Sequence, residues 1–337
     1  MDPLKFSAET RLLMIAGAPR CGTTAMSRYL GRHPSVCLSN PKETHFFLDR
    51  RSADDPEQGR QAYRRKHFRH AKSSHEMLLD GSISCLYSPD SARRAIAVFP
   101  NARFLVMLRN PVDLIESYHS RLLFYRQETE TELRAAWNLQ DRRRAGDAVP
   151  WSCSDPDVLR YKEVGLLGKH LETLLDVVGR DRCHWIFHKD LIQDPLGVYR
   201  DTLAFAGLPY DGRTEFPRKA PNRAFRNRWV QLIYSGAILA PLIPVGPSST
   251  AVYGRIRTLL KPIRKRIRSL NAYDAPPRGP DRETRALLLD AFADDIDRLE
   301  RVTGRNLDEW RGDSGPYVPD QMKIPKASNA AHGIAAD

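Results

Sequence analysis

The chain has 337 residues, and 53 lysines and arginines against 41 aspartates and glutamates give it a net charge of +12 at pH 7. This length fits one large α/β domain with insertions or two modest domains, and the 41% apolar fraction is enough for a packed core. The basic excess favours an anionic partner, such as a phosphorylated ligand, a membrane surface or a nucleic acid.

The five cysteines suggest neither a disulfide framework nor a zinc site, because their number is odd and no C-x-x-C pair occurs. We expect free thiols in a reducing compartment, and a cytoplasmic protein. Residues 1–10 have neither a basic start nor an apolar centre, so we expect no signal peptide. The only long apolar run, 229–245, contains two prolines and makes a poor membrane span.

Short apolar runs alternate with helical patterns along the first two thirds of the chain, which is typical of parallel β-α units. The predicted strands are 12–16, 36–39, 77–80, 104–108 and 184–187. The predicted helices are 24–33, 90–98, 111–124, 158–178 and 195–206. The predicted fold class is therefore α/β, a P-loop-like parallel β-sheet flanked by helices, with a helical insertion or lid.

We predict one domain over residues 1–312. Residues 141–157 are expected to form an exposed loop, and 228–280, with its apolar stretch, basic run and prolines, an insertion or lid. An amphipathic pattern within 281–312 predicts a C-terminal helix that packs on the domain. Residues 313–337 contain few large apolar side chains and are predicted to be disordered.

The first motif is the turn that follows the first predicted strand, where Gly17 and Gly22 have the spacing of the phosphate-binding loop G-x-x-x-x-G-K-[ST]. A strand, a tight turn and a helix N-terminus together cradle an anion, because the first helical N–H groups point outward unpaired. Thr23 occupies the position of the loop lysine, and the cation is instead Arg20 within the turn. This pattern predicts a phosphate site adapted to a ligand other than ATP.

The second motif follows the fourth predicted strand, which ends at Arg109. An arginine at the carboxyl end of a parallel strand lies where such sheets bind ligands. Pro111 starts the next helix, which carries Ser117 about two turns further on. Together with the first loop, this pair predicts two phosphate groups on one nucleotide.

The third motif, residues 40–47, lies just past the second predicted strand. A carboxylate at a strand end is a suitable general base for an acceptor hydroxyl, which makes Glu43 the first candidate. His45 is the rival base. Phe46 and Phe47 are expected to pack in the core.

These motifs together resemble the sulfotransferases that use 3′-phosphoadenosine 5′-phosphosulfate (PAPS), in particular bacterial relatives of the heparan sulfate sulfotransferases. The match extends over about residues 10–312. In that family an [KR]-x-G-T-T loop binds the 5′-phosphosulfate, R-N-P-x-x-x-x-x-S binds the 3′-phosphate, and the glutamate of an N-E-x-H-F-F motif is the base. The resemblance implies that the donor is held without a metal ion.

The resemblance assigns each motif a role in this chain. The implied catalytic residues are Glu43 as base, with Arg20 and His45. The implied donor-binding residues are Arg20, Cys21, Gly22, Thr23, Thr24, Ala25, Arg109 and Ser117, together with a late loop that supplies Lys219, Asn222 and Arg226.

The chain departs from the family after the third strand, where many members have E-K-[ST]-P-x-Y. The lysine of that motif is replaced by Gly81, and Lys42 is one candidate to supply the missing cation.

The function implied is transfer of a sulfuryl group from PAPS to a hydroxyl, or less favourably an amine, of a carbohydrate, glycolipid or other small acceptor. One alternative is a P-loop nucleotide kinase or phosphotransferase, which the missing Gly-Lys-[ST] argues against.

The other alternative is a non-catalytic basic module that binds a membrane or nucleic acid. Within 229–268 a basic run follows the apolar stretch, which predicts either a peripheral contact at the inner face of the membrane or a lid helix with a solvated basic face. We expect no nucleic-acid partner.

Overall fold

A central sheet of five parallel strands, in the order β2-β3-β1-β4-β5, forms the middle of the domain. The structure is a computed structural model, and it describes residues 9–153, 155–217, 223–225, 266, 270–274 and 279–312. The strands are β1 Arg11–Gly17, β2 Val36–Leu38, β3 Met77–Asp80, β4 Arg103–Leu108 and β5 Cys183–Phe187. Two short strands, β6 Arg223–Phe225 and β7 Ala272–Asp274, pair antiparallel in a separate ribbon. The predicted parallel α/β sheet is confirmed.

Helices connect and flank the strands. They are α1 Thr23–Leu30, α2 Pro56–His67, α3 Pro89–Val98, α4 Pro111–Tyr125, α5 Leu133–Asn138, α6 Gln140–Arg144, α7 Tyr161–Gly165, α8 Leu167–Val178, α9 His188–Gln193, α10 Pro195–Ala206, α11 Arg282–Thr303 and α12 Asp308–Arg311. A parallel sheet needs such crossovers because its strands all run the same way. β1 and β4, at the centre, are almost wholly buried apolar residues, as expected for strands covered on both faces.

Several helix starts follow from capping chemistry. Asn110 accepts a hydrogen bond from the Val112 N–H (2.9 Å) and precedes Pro111 in α4. Asp194 accepts one from the Gly197 N–H (2.8 Å) at the start of α10. These caps fix where both helices leave the carboxyl edge of the sheet.

Two local predictions were wrong, and one helix was not predicted. The helix predicted at 158–178 is broken into α7 and α8, with Leu166 between them at φ −73° and ψ 64°. The helix α2 was not predicted, because most of its residues are polar. The loop predicted at 141–157 begins within helix α6, and there Arg143 is buried rather than exposed.

The long helix α11 covers one side of the domain, and its apolar face packs against α8. The buried apolar side chains on this face are Leu288, Phe292, Ile296 and Leu299. The insertion predicted at 228–280 lies almost wholly outside the described residues, and the tail predicted at 313–337 lies entirely outside them. In the described ranges, no helix combines the length and apolarity that crossing a bilayer requires.

Candidate active site

The turn between β1 and α1 has the backbone expected of an anion cradle. Arg20 and Gly22 both have positive φ angles, 63° and 93°, and Gly22 is the residue that precedes the first turn of α1. A Cβ at residue 22 would lie 3.0 Å from Leu191 and 3.3 Å from His188, so glycine also allows α9 to approach. The first helical amides, at Thr23 and Thr24, therefore start at the carboxyl edge of the sheet.

Arg20 joins this turn to the second motif, across 97 residues of sequence. Its Nε donates a hydrogen bond to the Ser117 Oγ on α4 (2.9 Å). Arg109, at the end of β4, donates from Nη1 to the Arg20 carbonyl oxygen (3.2 Å). The structure thus brings together the two arginines and the serine that were predicted as separate phosphate ligands.

The electrostatics of this cluster favour an anion. Burial, followed by the charges of Arg121 and Arg109, lowers the pKa of the Arg20 guanidinium to about 10, so it stays charged at neutral pH. Burial and the charges of Arg109 and Arg20 lower the pKa of His188 to about 3, so its imidazole is neutral. Because the arginines repel one another, a bound anion would offset that repulsion.

Cys21 is fully buried, and its Sγ lies 3.4 Å from the Pro19 carbonyl oxygen. Burial raises the pKa of this thiol to about 12 against the opposing charges of Arg109 and Arg20. A thiol of this kind is not a nucleophile at neutral pH.

The third motif lies past the end of β2, on the same edge of the sheet. Glu43 pairs with Lys42, whose Nζ lies 2.9 Å from the Glu43 Oε1. The Nε2 of His45 is 3.7 Å from the Glu43 Oε2, and its Nδ1 is hydrogen-bonded to the Ser84 Oγ (2.8 Å). Both candidate bases are therefore adjacent, and Glu43, with its side chain 31% exposed, remains open to solvent.

Asp80, at the end of β3 and fully buried, holds this loop in place. Its carboxylate accepts hydrogen bonds from the Thr44 Oγ1 and the Tyr63 hydroxyl, both at 2.5 Å. It also accepts from the Ser82 N–H (2.9 Å) and Oγ (2.6 Å), and the Ser82 Oγ in turn accepts from the backbone N–H groups of Thr44 and His45. Asp80 was assigned no role from the sequence, so its central position in this network was missed.

Lys42 occupies the space that a side chain at residue 81 would need. A Cβ at Gly81 would lie 2.8 Å from the Lys42 Cε and 3.2 Å from its Cγ. The Gly81 N–H donates to the Lys42 carbonyl oxygen (2.9 Å), which fixes the two chain segments together. The Lys42 Nζ is itself buried, so its charge is directed inward beside Glu43.

The loop that carries Glu43 and the turn between β1 and α1 are joined through the segment after β3. A Cβ at Gly17, the last residue of β1, would lie 2.7 Å from the Leu86 side chain and 3.3 Å from the Ile83 carbonyl oxygen. These two residues belong to a 3₁₀ helix, Ile83–Tyr87, which also carries the Ser84 bonded to His45. The two halves of the site therefore contact the same 3₁₀ helix.

A cavity of about 230 Å³ opens beside Arg109, between the ends of β4 and β5 and the C-terminal helices. Asp113, one of its walls, is 8% exposed, and burial raises the pKa of its carboxyl against the charges of Arg109 and Arg285. The other lining residues are Leu108, Asn110, Phe187, His188, Lys189, Arg305, Glu309 and Trp310. His188 and Arg305 were not assigned a role from the sequence.

The structure leaves part of the predicted site undescribed. Lys219, Asn222 and Arg226, the late donor loop, lie outside the described residues. Within the described ranges, no group of three or more histidine, cysteine, aspartate or glutamate side chains is arranged to hold a metal ion.

A parallel α/β sheet with a glycine-bounded turn between its first strand and first helix defines the general class of this protein. The model of the sulfotransferase family matches residues 13–96 and 87–212. The chain belongs to the sulfotransferase family, as the sequence motifs predicted.

Two curated relatives illustrate the similarity. The chain is 23% identical over 231 residues to the mouse bifunctional heparan sulfate N-deacetylase/N-sulfotransferase 4, a match that covers 66% of this chain and 25% of the relative. It is 28% identical over 109 residues to the membrane-associated sulfotransferase kil1 of Dictyostelium discoideum, over 32% of this chain and 22% of that one. The chain thus spans about a quarter of the length of these curated relatives.

Among solved structures, a sulfotransferase from Alicyclobacillus acidocaldarius aligns with a TM-score of 0.59 at 24% identity, covering 89% of this chain and 98% of its own. At this identity the similarity concerns the fold. It agrees with the P-loop-like α/β architecture.

Proposed function

We propose that this protein transfers a sulfuryl group from PAPS to an acceptor hydroxyl. The observation that carries the proposal is the contact of Arg20 with Ser117 and of Arg109 with the Arg20 carbonyl oxygen. Two cationic groups, a hydroxyl and a helix N-terminus converge there, which fits a ligand with phosphates at two positions. Family membership supports PAPS as that ligand.

The reaction needs positioning and charge stabilisation more than covalent catalysis. The acceptor oxygen attacks the sulfur, and the bond from sulfur to the bridging oxygen of the phosphosulfate breaks in line with it. Glu43 takes the acceptor proton, and Arg20 stabilises the negative charge that develops on the bridging oxygen. The products are a sulfate ester and 3′-phosphoadenosine 5′-phosphate (PAP), so atoms and charge balance without a metal ion.

Lys42 is assigned a supporting role in this step. Its buried ammonium beside Glu43 supplies a positive charge at the end of β2, where Gly81 leaves room for it. A cation at that place stabilises the sulfonate oxygens as charge shifts toward the leaving phosphate. The ion pair also keeps the Glu43 carboxylate in one orientation.

The acceptor proposed is a carbohydrate, a glycolipid or another small alcohol, with an amine as the less favoured nucleophile. The name of the mouse relative, which refers to heparan sulfate, supports the carbohydrate class. The membrane contact proposed for 229–268 falls mainly on residues that the structure does not describe.

Donor binding is tested by calorimetric titration of PAP into the wild type and into Arg109→Ala. We expect binding by the wild type and at least a tenfold loss in the variant, since charge-assisted hydrogen bonds are worth about 1.5–3 kcal/mol. Arg200→Ala, an exposed arginine on α10, is the matched control and should bind normally. Absence of PAP binding to the wild type would refute the donor assignment.

The base is tested by transfer of radiolabelled sulfate from PAPS to a panel of sugars. Glu43→Gln should lower kcat by about 10²–10⁴-fold with unchanged PAP affinity, because only proton removal is lost. His45→Gln is the discriminating control. If His45→Gln loses turnover while Glu43→Gln retains it, the base is His45.

A further inference from the structure

A groove of about 610 Å³ is lined by helix α2 and by the chain that leads into it. That chain contains two short 3₁₀ helices, Phe46–Leu48 and Arg50–Ala53. The volume is in the range of sites that hold small organic molecules, and sulfuryl transfer as proposed above uses none of the polar groups in it. This groove, between residues 46 and 65, is called the α2 groove below.

Carboxylates predominate on the walls of the α2 groove, although the chain as a whole has a net charge of +12. The arginines that line it are Arg51, whose Nε lies 3.6 Å from the Asp49 Oδ1, and Arg65. Arg65 is eight residues past Glu57 on α2, which places it about 12 Å further along the helix axis. The end of the groove at the start of α2 is therefore acidic. The carboxylate residues that line the groove are Asp49, Asp54, Asp55 and Glu57.

The start of α2 cannot offer its N–H groups to an anion, because Asp55 already uses them. The Asp55 Oδ1 accepts hydrogen bonds from the N–H groups of Glu57 (3.0 Å) and Gln58 (3.1 Å). The Asp55 carbonyl oxygen accepts from the Gly59 N–H (2.8 Å). The donors that bind anions at other helix starts are thus satisfied within the chain, and the groove suits a cation.

Three polar groups of the α2 groove are available as hydrogen-bond acceptors. Ser52 is only 6% exposed, and its hydroxyl makes no hydrogen bond within the described part of the chain. The Asp54 carboxylate is exposed and forms no ion pair or hydrogen bond with any residue that the structure describes. Gln58 donates from Nε2 to the Asp55 Oδ2 (2.7 Å), which leaves its side-chain oxygen to accept. Since buried hydroxyls almost always have a partner, Ser52 is the group that points to a ligand.

The position of Ser52 is fixed by its backbone. A Cβ at Gly59 would lie 2.4 Å from the Ser52 carbonyl oxygen, so glycine allows the 3₁₀ helix Arg50–Ala53 to pack closely on α2. The Ser52 N–H donates to the Asp49 carbonyl oxygen (3.1 Å) on the other side. These contacts hold the hydroxyl in place before any ligand binds, which lowers the entropic cost of binding.

We propose that the α2 groove binds a primary organic amine in its ammonium form, through the Ser52 hydroxyl, the Asp54 carboxylate and the Gln58 side-chain oxygen. A primary ammonium has three N–H donors, which matches these three acceptors, and the bond to the carboxylate is charge-assisted. Phe46 and Ala62 supply apolar wall for the carbon chain of the amine. The inference goes beyond sulfuryl transfer and does not depend on it.

A metal ion fits the α2 groove less well than an amine. Although four carboxylates line it, the described residues contain no set of three or more histidine, cysteine, aspartate or glutamate side chains arranged to hold a metal. The carboxylates of Asp55 and Glu57 are already bonded, to the first turn of α2 and to Arg60 (2.8 Å) respectively. They contribute negative potential without being free to coordinate.

The test is calorimetric titration of the full chain at pH 7 with 1,5-diaminopentane, whose amino groups are charged at that pH. Two comparison ligands separate the contributions: 1,5-pentanediol has the same chain without charge, and 1,5-bis(trimethylammonio)pentane has the same charge without N–H donors. The variants are Ser52→Ala and Asp54→Asn. Asp176→Asn, which changes an exposed carboxylate on α8 far from the groove in sequence, is the matched control.

The wild type should bind the diamine at a single site and the quaternary analogue more weakly, and it should not bind the diol. Asp54→Asn should weaken the diamine by about tenfold or more, and Ser52→Ala by about threefold to tenfold, because a charge-assisted hydrogen bond is lost in each. Asp176→Asn should bind as the wild type does. Without the diamine, Ser52→Ala should unfold at the same urea concentration as the wild type or a higher one, since its hydroxyl has no bond to lose.

No binding of the diamine up to about 10 mM, a concentration that would fill even a millimolar site, would overturn the proposal. Equal binding of the diol, or unchanged affinity for the diamine in both groove variants, would overturn it too. Binding of Mg²⁺ or Ca²⁺ that Asp54→Asn abolishes, without binding of the diamine, would identify a metal site instead. A Ser52→Ala variant that unfolds at lower urea would show that the hydroxyl serves the fold rather than a ligand. The titration contains neither PAPS nor acceptor, so its outcome is independent of the test of sulfuryl transfer.

Discussion

Replacing Gly81 by alanine tests whether Lys42 serves the reaction. The added Cβ would lie 2.8 Å from the Lys42 Cε, a distance that side chains do not tolerate, and 3.2 Å from the Lys42 Cγ and carbonyl oxygen. Gly81 does not have a positive φ, so its backbone accepts alanine and the strain arises from Lys42. The flexible stem of Lys42 should therefore move away and take its ammonium from Glu43.

The expected loss is larger for activity than for stability. The Lys42–Glu43 pair is partly exposed, with side-chain exposures of 22% and 31%, so its removal should cost about 1 kcal/mol or less in unfolding free energy. If Lys42 stabilises charge in the transition state, kcat should fall by roughly 10²-fold, as when one charge-stabilising donor is removed. PAP affinity should change little.

A double-mutant cycle makes this reasoning refutable. Lys42→Ala should lower kcat as much as Gly81→Ala does, and Gly81→Ala should have almost no further effect in the Lys42→Ala background, because the clashing stem is gone. The readouts are initial rates of sulfate transfer, with urea denaturation to verify folding. If the fold losses in kcat of the two single variants instead multiply in the double variant, the alanine at residue 81 does not act by displacing Lys42.

Two further predictions concern buried groups. Arg143→Met removes both guanidinium bonds to Glu128 (2.7 and 2.8 Å) from a pair only 2% and 0% exposed, and it should cost about 3–5 kcal/mol in urea denaturation at pH 7. Burial raises the pKa of Glu128, but hydrogen bonds, led by those from Arg143, lower it overall. The loss of unfolding free energy in Arg143→Met should therefore persist above the unfolded pKa of about 4.3 and shrink as the pH falls through the folded pKa. A loss that does not depend on pH would contradict the charged Arg143–Glu128 pair. Cys21, with its pKa raised to about 12, should resist alkylation by iodoacetamide in the native protein at pH 8, while the half-buried Cys153 reacts. Mass spectrometry measures the order of alkylation. Alkylation of Cys21 before Cys153 would contradict this prediction.

The helix α2 illustrates where sequence reasoning failed. Its buried face consists of Gly59, Arg60, Tyr63 and His67, of which only the tyrosine is a large apolar residue. There the Arg60 Nη1 and Nη2 donate to the Val98 carbonyl oxygen (2.7 Å) and to Glu57 (2.8 Å), and the Tyr63 hydroxyl donates to Asp80. A periodicity of apolar residues cannot report a face whose burial depends on partners elsewhere in the chain.

By itself, the sequence determined the five strands and the parallel α/β class, because each central strand is a short apolar run bounded by turn signals. It also predicted the tight turn between β1 and α1, since two glycines and a helix start at this spacing are typical of a phosphate-binding loop. Only the tertiary structure decided that Arg20 contacts Ser117, that Lys42 lies over Gly81, and that Asp80 holds the loop that carries Glu43. These contacts join segments that are far apart in the sequence, and the order of the strands in the sheet, which local patterns do not encode, brings them together.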